Sequence, residues 1–376
     1  MIGRLKQILI KEFIQIFRDH RARGIVFVMP IFQMVIFGYA VTTDVKHVAT
    51  GIYDLDDSLA SREVVARFVH SGYFDIKATI SREEQVQKLM DHGKVQAVIR
   101  LNKGFEENLK AGRKGIIQLI VDGTDSNTAA IVLNYSGKIV SRYSQDILIQ
   151  RLARLRGPGQ KPSPVELEIR AWFNENLESR NYYVPGVIAL LVMLITLLLT
   201  SMAVVREKEI GTMEQIMVTP ITPKEFILGK TLPFALISLV DVVLITLVGV
   251  FWFEVPIQGS LWLLLLATSL YLMTTLGMGL FISTVSRTQQ QAMMSAFFFQ
   301  FPAVLLSGFV FPIANMPEVV QWLTYLNPLR YFLIIIRGIF LKGVGMSILW
   351  PQMAALMVMG LLILWLASRR FRKTLA

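Results

Sequence analysis

Apolar and polar residues are segregated along the chain in long blocks. A helix crossing the hydrocarbon layer needs about 20 mainly apolar residues, because roughly 30 Å must be spanned at about 1.5 Å per residue. Six segments meet or approach that length: Gly24–Thr43, Tyr182–Val205, Thr231–Phe253, Ser260–Ser283, Gln291–Pro312 and Met346–Ala367. Within residues 313–345, the apolar stretch Leu329–Leu341 is too short for a span and carries Arg330 and Arg337, so it is expected to be re-entrant or interfacial. Ahead of the first block, Leu5, Ile8, Leu9, Phe13, Ile16 and Phe17 recur at helical spacing, with Arg4, Lys11 and Arg18 on another face. This predicts an amphipathic helix over residues 1–23, lying in the membrane interface or extending the first span. The first block could instead serve as a secretory signal. Its 24-residue basic leader is long for that, however, and "GYAVTTDV" is a poor cleavage site, so an uncleaved span is expected.

Between the first two spans, residues 44–180 change pattern. "HVATGIYDLD", "FDIKATI", "VQAVIRL" and "GIIQLIVDG" have strand character and alternate with helical stretches, before a long helix from about Ser126 to Leu155. Ser61 is a candidate N-cap, and Ser81 and Glu84 have capping-box spacing. Alternation of this kind predicts a small α/β domain with a largely parallel sheet. "GPGQKPSP" (157–164) then reads as a linker. The fold class expected is a polytopic α-helical membrane protein with six spans and an α/β extracytoplasmic domain between spans 1 and 2.

Charge fixes the orientation. Only 17% of the 376 residues are charged, against about a quarter in soluble domains, and the mean hydropathy is +0.52. Residues 1–24 hold six Lys and Arg, the loop 206–230 four and the tail 368–376 four, whereas 254–259 and 313–328 hold none. The basic flanks therefore fall on one side, which places both termini in the cytoplasm and residues 44–180 outside a bacterial inner membrane. The net charge of +11 sits largely beside the membrane, so lipid and not nucleic acid is the expected partner. The chain has no cysteine, and its four histidines (His20, His47, His70, His92) make no ligand spacing. Asp54, Asp56 and Asp57 lack the further ligands of a metal site and are expected at a solvated strand end. No catalytic constellation appears in the outer domain.

The loop 206–230 opens "REKEIGTMEQ" and runs into Gly229-Lys230-Thr231. A nucleotide-binding P-loop requires a further glycine separated from the Gly-Lys-Thr by four residues, and that position holds Lys224. No ATP site of this kind is therefore expected in the chain. In Arg206–Val218, Ile210, Met213 and Met217 fall on one helical face and Glu207, Gly211 and Glu214 on another. A short amphipathic helix is predicted, polar side outward, followed by the turn "TPITP". A glycine on that face lets another surface approach closely; a solvated connector is the equal alternative.

"VVREKEIGTMEQIMVTPI" closely resembles the motif after the second span of ABC-2-type exporter permeases, the membrane subunits of ATP-driven efflux systems. "LLSGFVFPIANMPEVVQWLTYLNPLRYF" is similar to the segment after their fifth span, and the large outer domain extends the resemblance over essentially the whole chain, closest to the bacterial multidrug-export branch. The resemblance implies that Glu207, Lys208, Glu209, Gly211, Thr212, Glu214 and Gln215 contact a separate ABC ATPase subunit, which carries the ATP and Mg. It also implies that six spans are half a transporter, completed by a second copy or a paralogue, with a periplasmic adaptor as a further possible partner. The expected function is outward movement of hydrophobic or amphipathic small molecules. Two alternatives remain: export of a lipid-linked or polymeric envelope component, and a signalling or scaffold protein whose outer domain binds a ligand.

Asp241 stands in the middle of an apolar run, where a carboxylate costs about 2.5–3.5 kcal/mol on insertion scales. It is a candidate substrate or proton contact, or else a hydrogen-bonding group within the bundle or a dimer. Gln33 and Gln300 are weaker cases of the same kind. Phe297, Phe298, Phe299, Phe301 and Phe309, with Met293 and Met294, either line a greasy path or simply pack.

Overall fold

A computed structural model describes residues 2–18, 20–40, 47–156, 172–174, 178–211 and 223–375. They form two units, residues 43–169 and the remainder, each with its own core. The chain enters through α1 (Ile2–Arg18) and α2 (His20–Arg23), passes a π-helical turn at Gly24–Val28, and continues in α3 (Met29–Ala40). Phe13 stacks on Phe17 and Phe17 on Phe27, so the predicted stripe turns onto the start of the first apolar block.

The second unit is an α/β domain: β1 (Val48–Asp54), α4 (Leu59–His70), β2 (Phe74–Thr79), α5 (Glu83–Asp91), β3 (Ala97–Leu101), α6 (Phe105–Lys110), β4 (Ile117–Val121) and α7 (Ser126–Arg156). The sheet order is β2-β1-β3-β4. β1 runs parallel to both neighbours, and β4 closes the edge antiparallel to β3. Strand periodicity explains its two cores: Ile99 and Leu101 join Phe68 and Phe74 on one face, while Val98 meets Tyr53 and Ile80 on the other. Two helix starts differ from the sequence expectation. α4 is capped by Ser58, with Ser61 reaching back as its partner in the capping box. At α5 the residue that reaches back is Gln85, whose Oε1 accepts from Ser81 N–H at 3.0 Å. In both places several polar residues compete for the cap, and the helix takes the register that buries its apolar face (Val64 and Phe68; Val86). The linker 157–164 lies outside the described residues.

The first unit continues with α8 (Ser179–Ile210), α9 (Pro223–Phe251), α10 (Leu261–Val285), α11 (Gln289–Leu305), α12 (Glu318–Thr324), α13 (Pro328–Arg337) and α14 (Met346–Leu375). Small residues let these helices approach. A Cβ on Gly279 would lie 2.8 Å from Thr200 Cβ, and one on Gly360 3.0 Å from Met273 Cβ. Tyr271 is fully buried and stacks flat on Phe332, with ring centroids 4.2 Å apart.

Among the described residues, four helices are long and apolar enough to cross a membrane: Ser179–Ile210, Glu225–Phe251, Leu261–Val285 and Met346–Arg369. The pair Glu318–Thr324 and Pro328–Lys342, bent by 78°, makes a fifth if taken as one broken span. The bend follows from Asn-Pro: Asn327 caps α13 through Leu329 N–H, and its amide also donates to Ala303 O at 2.7 Å. The fifth predicted span is shorter than expected, and the end of the first lies outside the described residues. The first is described as an apolar helix only over Val26–Ala40, and α11 stops at Leu305, before Gly308 turns the chain at φ +81°.

Candidate functional site

The last turn of α8 reads Arg206-Glu207-Lys208-Glu209-Ile210-Gly211. Successive residues on a helix point about 100° apart, and here three neighbouring charges each meet a different element. Glu207 is only 5% exposed. Its Oε1 accepts from Lys230 Nζ of α9 at 2.6 Å and from Lys11 Nζ of α1 at 3.3 Å. Lys230 Nζ also lies 2.7 Å from Glu12 Oε1 of α1, and all three side chains of the Glu12–Lys230–Glu207 chain are buried. Lys208 Nζ donates to Thr284 O in the final turn of α10 at 3.3 Å. Glu209 accepts from the Gln289 backbone N–H at 3.0 Å and from its side-chain amide, at the first residue of α11.

Polarity matches the helix ends. A cation meets the carbonyl end of α10 and a carboxylate meets the N–H end of α11, which is the arrangement the helix dipoles favour. Glu12, Lys230, Glu207 and Lys11 together carry no net charge. This matters because a charge taken out of water stays ionised only beside a partner of opposite sign. One turn of α8 thereby joins the middle of α1 and the N-terminal third of α9 to the facing ends of α10 and α11.

The arrangement departs from the sequence expectation in two respects. Glu207 faces inward to the ion pairs and not outward, because an opposite charge awaits it on two other helices. α8 ends at Ile210, with Gly211 just beyond it at φ +79°, and the rest of the predicted helix, 212–218, lies outside the described residues. That left-handed conformation is open to glycine at little cost, so its role here is conformational. Glu209 and Ile210 are exposed. Thr212, Glu214 and Gln215 lie outside the described residues.

Lys230 of the Gly-Lys-Thr triplet is inside α9 and engaged by two carboxylates. Neither it nor Glu12 was identified from sequence as part of a site. A signal did exist: Glu12 falls within the apolar stripe of α1, between Leu9 and Phe13, and a carboxylate there calls for a buried cation.

The intramembrane polar candidates are dispersed over α3, α9 and α11. Asp241 is 2% exposed, and neither carboxylate oxygen has a hydrogen-bond partner among the described residues. Gln33 Oε1 and Gln300 Oε1 are likewise unbonded. Phe309 is buried, whereas Phe298 is 83% exposed. An apolar cleft of about 580 Å³ runs between α10, α11 and α14, lined by Met278, Phe281, Met294, Phe298 and Ile363 among others.

In the α/β unit, the fold's natural ligand position is the crevice beyond the carboxyl ends of β1 and β3, where the strand order reverses. Asp56 fills it. Its Oδ1 accepts from the N–H groups of Gly104 (2.7 Å) and Phe105 (3.0 Å), and Oδ2 from Glu106 N–H (3.0 Å) and the Ser58 hydroxyl. Desolvation pushes the Asp56 pKa up, but the Ser58 hydroxyl and the three N–H groups outweigh it and hold the carboxyl below the usual range. Asp54 accepts from Asp56 N–H, Asp57 N–H and Ser61, and Asp57 pairs with Arg62. The three aspartates thus shape the loop.

Residues 24–369 match the sequence family described as ABC-2 family transporter protein. Among curated proteins, the chain is 34% identical over 378 residues to "Probable multidrug ABC transporter permease YbhS" of Escherichia coli (strain K12), covering 98% of this chain and 97% of that one. It is 32% identical over 358 residues to "Probable multidrug ABC transporter permease YbhR" of the same organism, covering 95% of each. It is 31% identical over 329 residues to "Inner membrane transport permease YhhJ", again of E. coli K12, covering 86% and 85%.

Proposed function

We propose, from the premise that the chain belongs to the ABC-2 family of transporter proteins, that it is the membrane-spanning permease subunit of an exporter whose ATP is hydrolysed by a separate subunit. The ATP and Mg belong to that partner. Hydrophobic or amphipathic small molecules are the cargo, in keeping with the names of the relatives YbhR and YbhS. The permease sits in a bacterial inner membrane with both termini cytoplasmic. Its six spans are the four long helices together with the first apolar helix and the α11 region, and the bent pair is re-entrant. A second copy or a paralogue completes the pathway.

The observation that carries this reading is that Glu207, Lys208 and Glu209, in one turn of α8, contact four other helices. The segment from Glu209 to Gln215 is the surface on which the ATPase acts. Force applied there passes through Glu207 and Lys230 to α1 and α9, and through Lys208 and Glu209 to α10 and α11. Nucleotide-driven closure of the motor then biases the bundle between two arrangements. The outer α/β domain is available to an adaptor.

The test is co-purification with the ABC ATPase encoded nearest to it, followed by ATP turnover and dye extrusion in lipid vesicles. Glu214→Arg is expected to lose the complex or its stimulated turnover while remaining folded, and Glu107→Lys in the outer domain serves as control. Binding and turnover equal to wild type in Glu214→Arg would remove this loop as the motor contact. Failure of any ATPase to bind would favour the scaffold alternative.

A further inference from the structure

At the end of α8 opposite Glu207, Arg337 occupies an unusual position. It closes α13 and is followed directly by a π-helical turn, Gly338–Lys342, a departure from regular helix often found at functional positions. Its guanidinium lies over the Tyr182 ring, 3.7 Å from the centroid, and Nε donates to Tyr182 O at 3.3 Å. Nη2 is buried and has no hydrogen-bond acceptor among the described residues. An ionised donor left without an acceptor costs more than the roughly 1–3 kcal/mol of a neutral one. In an apolar bundle such a group marks a place where a partner is needed.

The surroundings limit what that partner is. Nη2 lies 3.4 Å from the point where a Cβ on Gly186 would sit, and the Phe309 ring approaches the same point to 2.5 Å. Tyr183 packs edge-on against Phe309. The Phe309 ring fills the space over Gly186, so the unpaired Nη2 is bordered by an aromatic wall. The neighbouring cation, Arg180, is already paired with Glu178 at 2.7 Å and Glu254 at 3.4 Å, so these carboxylates are engaged elsewhere. A planar guanidinium fork suits a carboxylate or phosphate better than a point charge does.

We infer that Arg337 heads a binding site for the phosphate or carboxylate head of an anionic amphiphile, whose chain lies against Phe309 and Tyr183. The site is independent of the ATPase contact, so it stands or falls apart from the proposed transport role. Its ligand is either a bilayer lipid or a solute, and the two share the chemistry that Arg337 recognises.

The full-length protein in phosphatidylcholine nanodiscs is titrated with dodecyl phosphate below its micelle concentration, with neutral dodecanol as control, and binding is read by native mass spectrometry. Wild type is expected to bind dodecyl phosphate at least about tenfold more tightly than Arg337→Met, the worth of one charge-assisted hydrogen bond, while the two bind dodecanol alike. If phosphatidylglycerol doped into the nanodiscs displaces dodecyl phosphate from wild type, the occupant is a lipid headgroup. If it does not, the occupant is a solute; either result keeps the site. Equal dodecyl phosphate binding by wild type and Arg337→Met, or none by wild type, overturns it. Should Arg337→Met not fold, Arg337→Lys carries the test, because it keeps the charge but loses the planar fork. Several-fold weaker dodecyl phosphate binding is then expected, and wild-type affinity overturns the proposal.

Discussion

Lys230 Nζ lies 2.6 Å from Glu207 Oε1, and both side chains are buried where α9 begins and α8 ends. Because Glu12 approaches the same ammonium from α1, a single lysine holds two carboxylates inside the unit. Removing the cation is therefore worse than removing one anion.

Lys230→Met removes the buried cation that both carboxylates share, and a loss of roughly 3–5 kcal/mol is expected. Glu207→Gln leaves Lys230 on Glu12 and is expected to cost clearly less. Lys230→Arg, which keeps the charge, should recover much of the loss. Thermal unfolding of the purified protein in detergent ranks the three, and a midpoint for Lys230→Met at or above that of Glu207→Gln would refute the shared-cation account.

Glu209 makes a different kind of contact. It is exposed and meets the first N–H of α11, so its loss is worth at most about 1 kcal/mol of stability. Under the proposed coupling role, Glu209→Lys is expected to lower transport several-fold with little change in the unfolding midpoint. The lysine would place a positive charge against the positive end of α11 and free that end from α8. Transport at the wild-type level, measured as dye extrusion from vesicles, would make the contact purely architectural.

How far these features could be read in advance depended on the range of the interaction. Helical and strand periodicities are local, and they correctly indicated the α/β unit, its long α7 and the apolar runs of α8, α9, α10 and α14. Partnerships between distant residues leave no periodic trace. Lys11 and Glu207 are 196 positions apart, which is why Glu207 read as an outward-facing residue. Capping was off by a few positions at α4 because Ser58 and Ser61 are chemically interchangeable there, and only packing of the helix decides between them. The guanidinium groups of Arg330 and Arg337 lie over the rings of Tyr325 and Tyr182, contacts that no local pattern announces. Glu12, set within the apolar stripe of α1, is an ion-pair partner of Lys230, 218 positions away.

Acid should loosen the loop around Asp56 in a defined direction. Its folded pKa lies below the unfolded value of about 3.9, so the carboxylate stabilises the fold at pH values above that and the contribution is lost as the pH falls through the folded pKa. Asn at this position keeps one acceptor oxygen and no charge. Asp56→Asn is expected to be less stable than wild type near neutral pH, by roughly 1 kcal/mol as for a lost helix cap, with the gap narrowing below about pH 4. Limited proteolysis across the pH series measures both. A constant gap down to acid pH would mean the charge plays no part.

Gly211 separates two accounts of why the motif contains a glycine. If the residue serves close approach of another surface, side-chain size is what matters, and Gly211→Ala must be milder than Gly211→Asn. The φ of +79° at the end of α8 argues the opposite. Asparagine tolerates the left-handed region and alanine does not, at a cost of about 1–2 kcal/mol. Gly211→Asn is therefore expected to stay near wild type in both stability and transport. Gly211→Ala is expected to lose about 1 kcal/mol or to extend α8 by a residue, which redirects the chain beyond it and lowers transport. Parallel assays of the two variants decide the matter, because the accounts predict opposite orders.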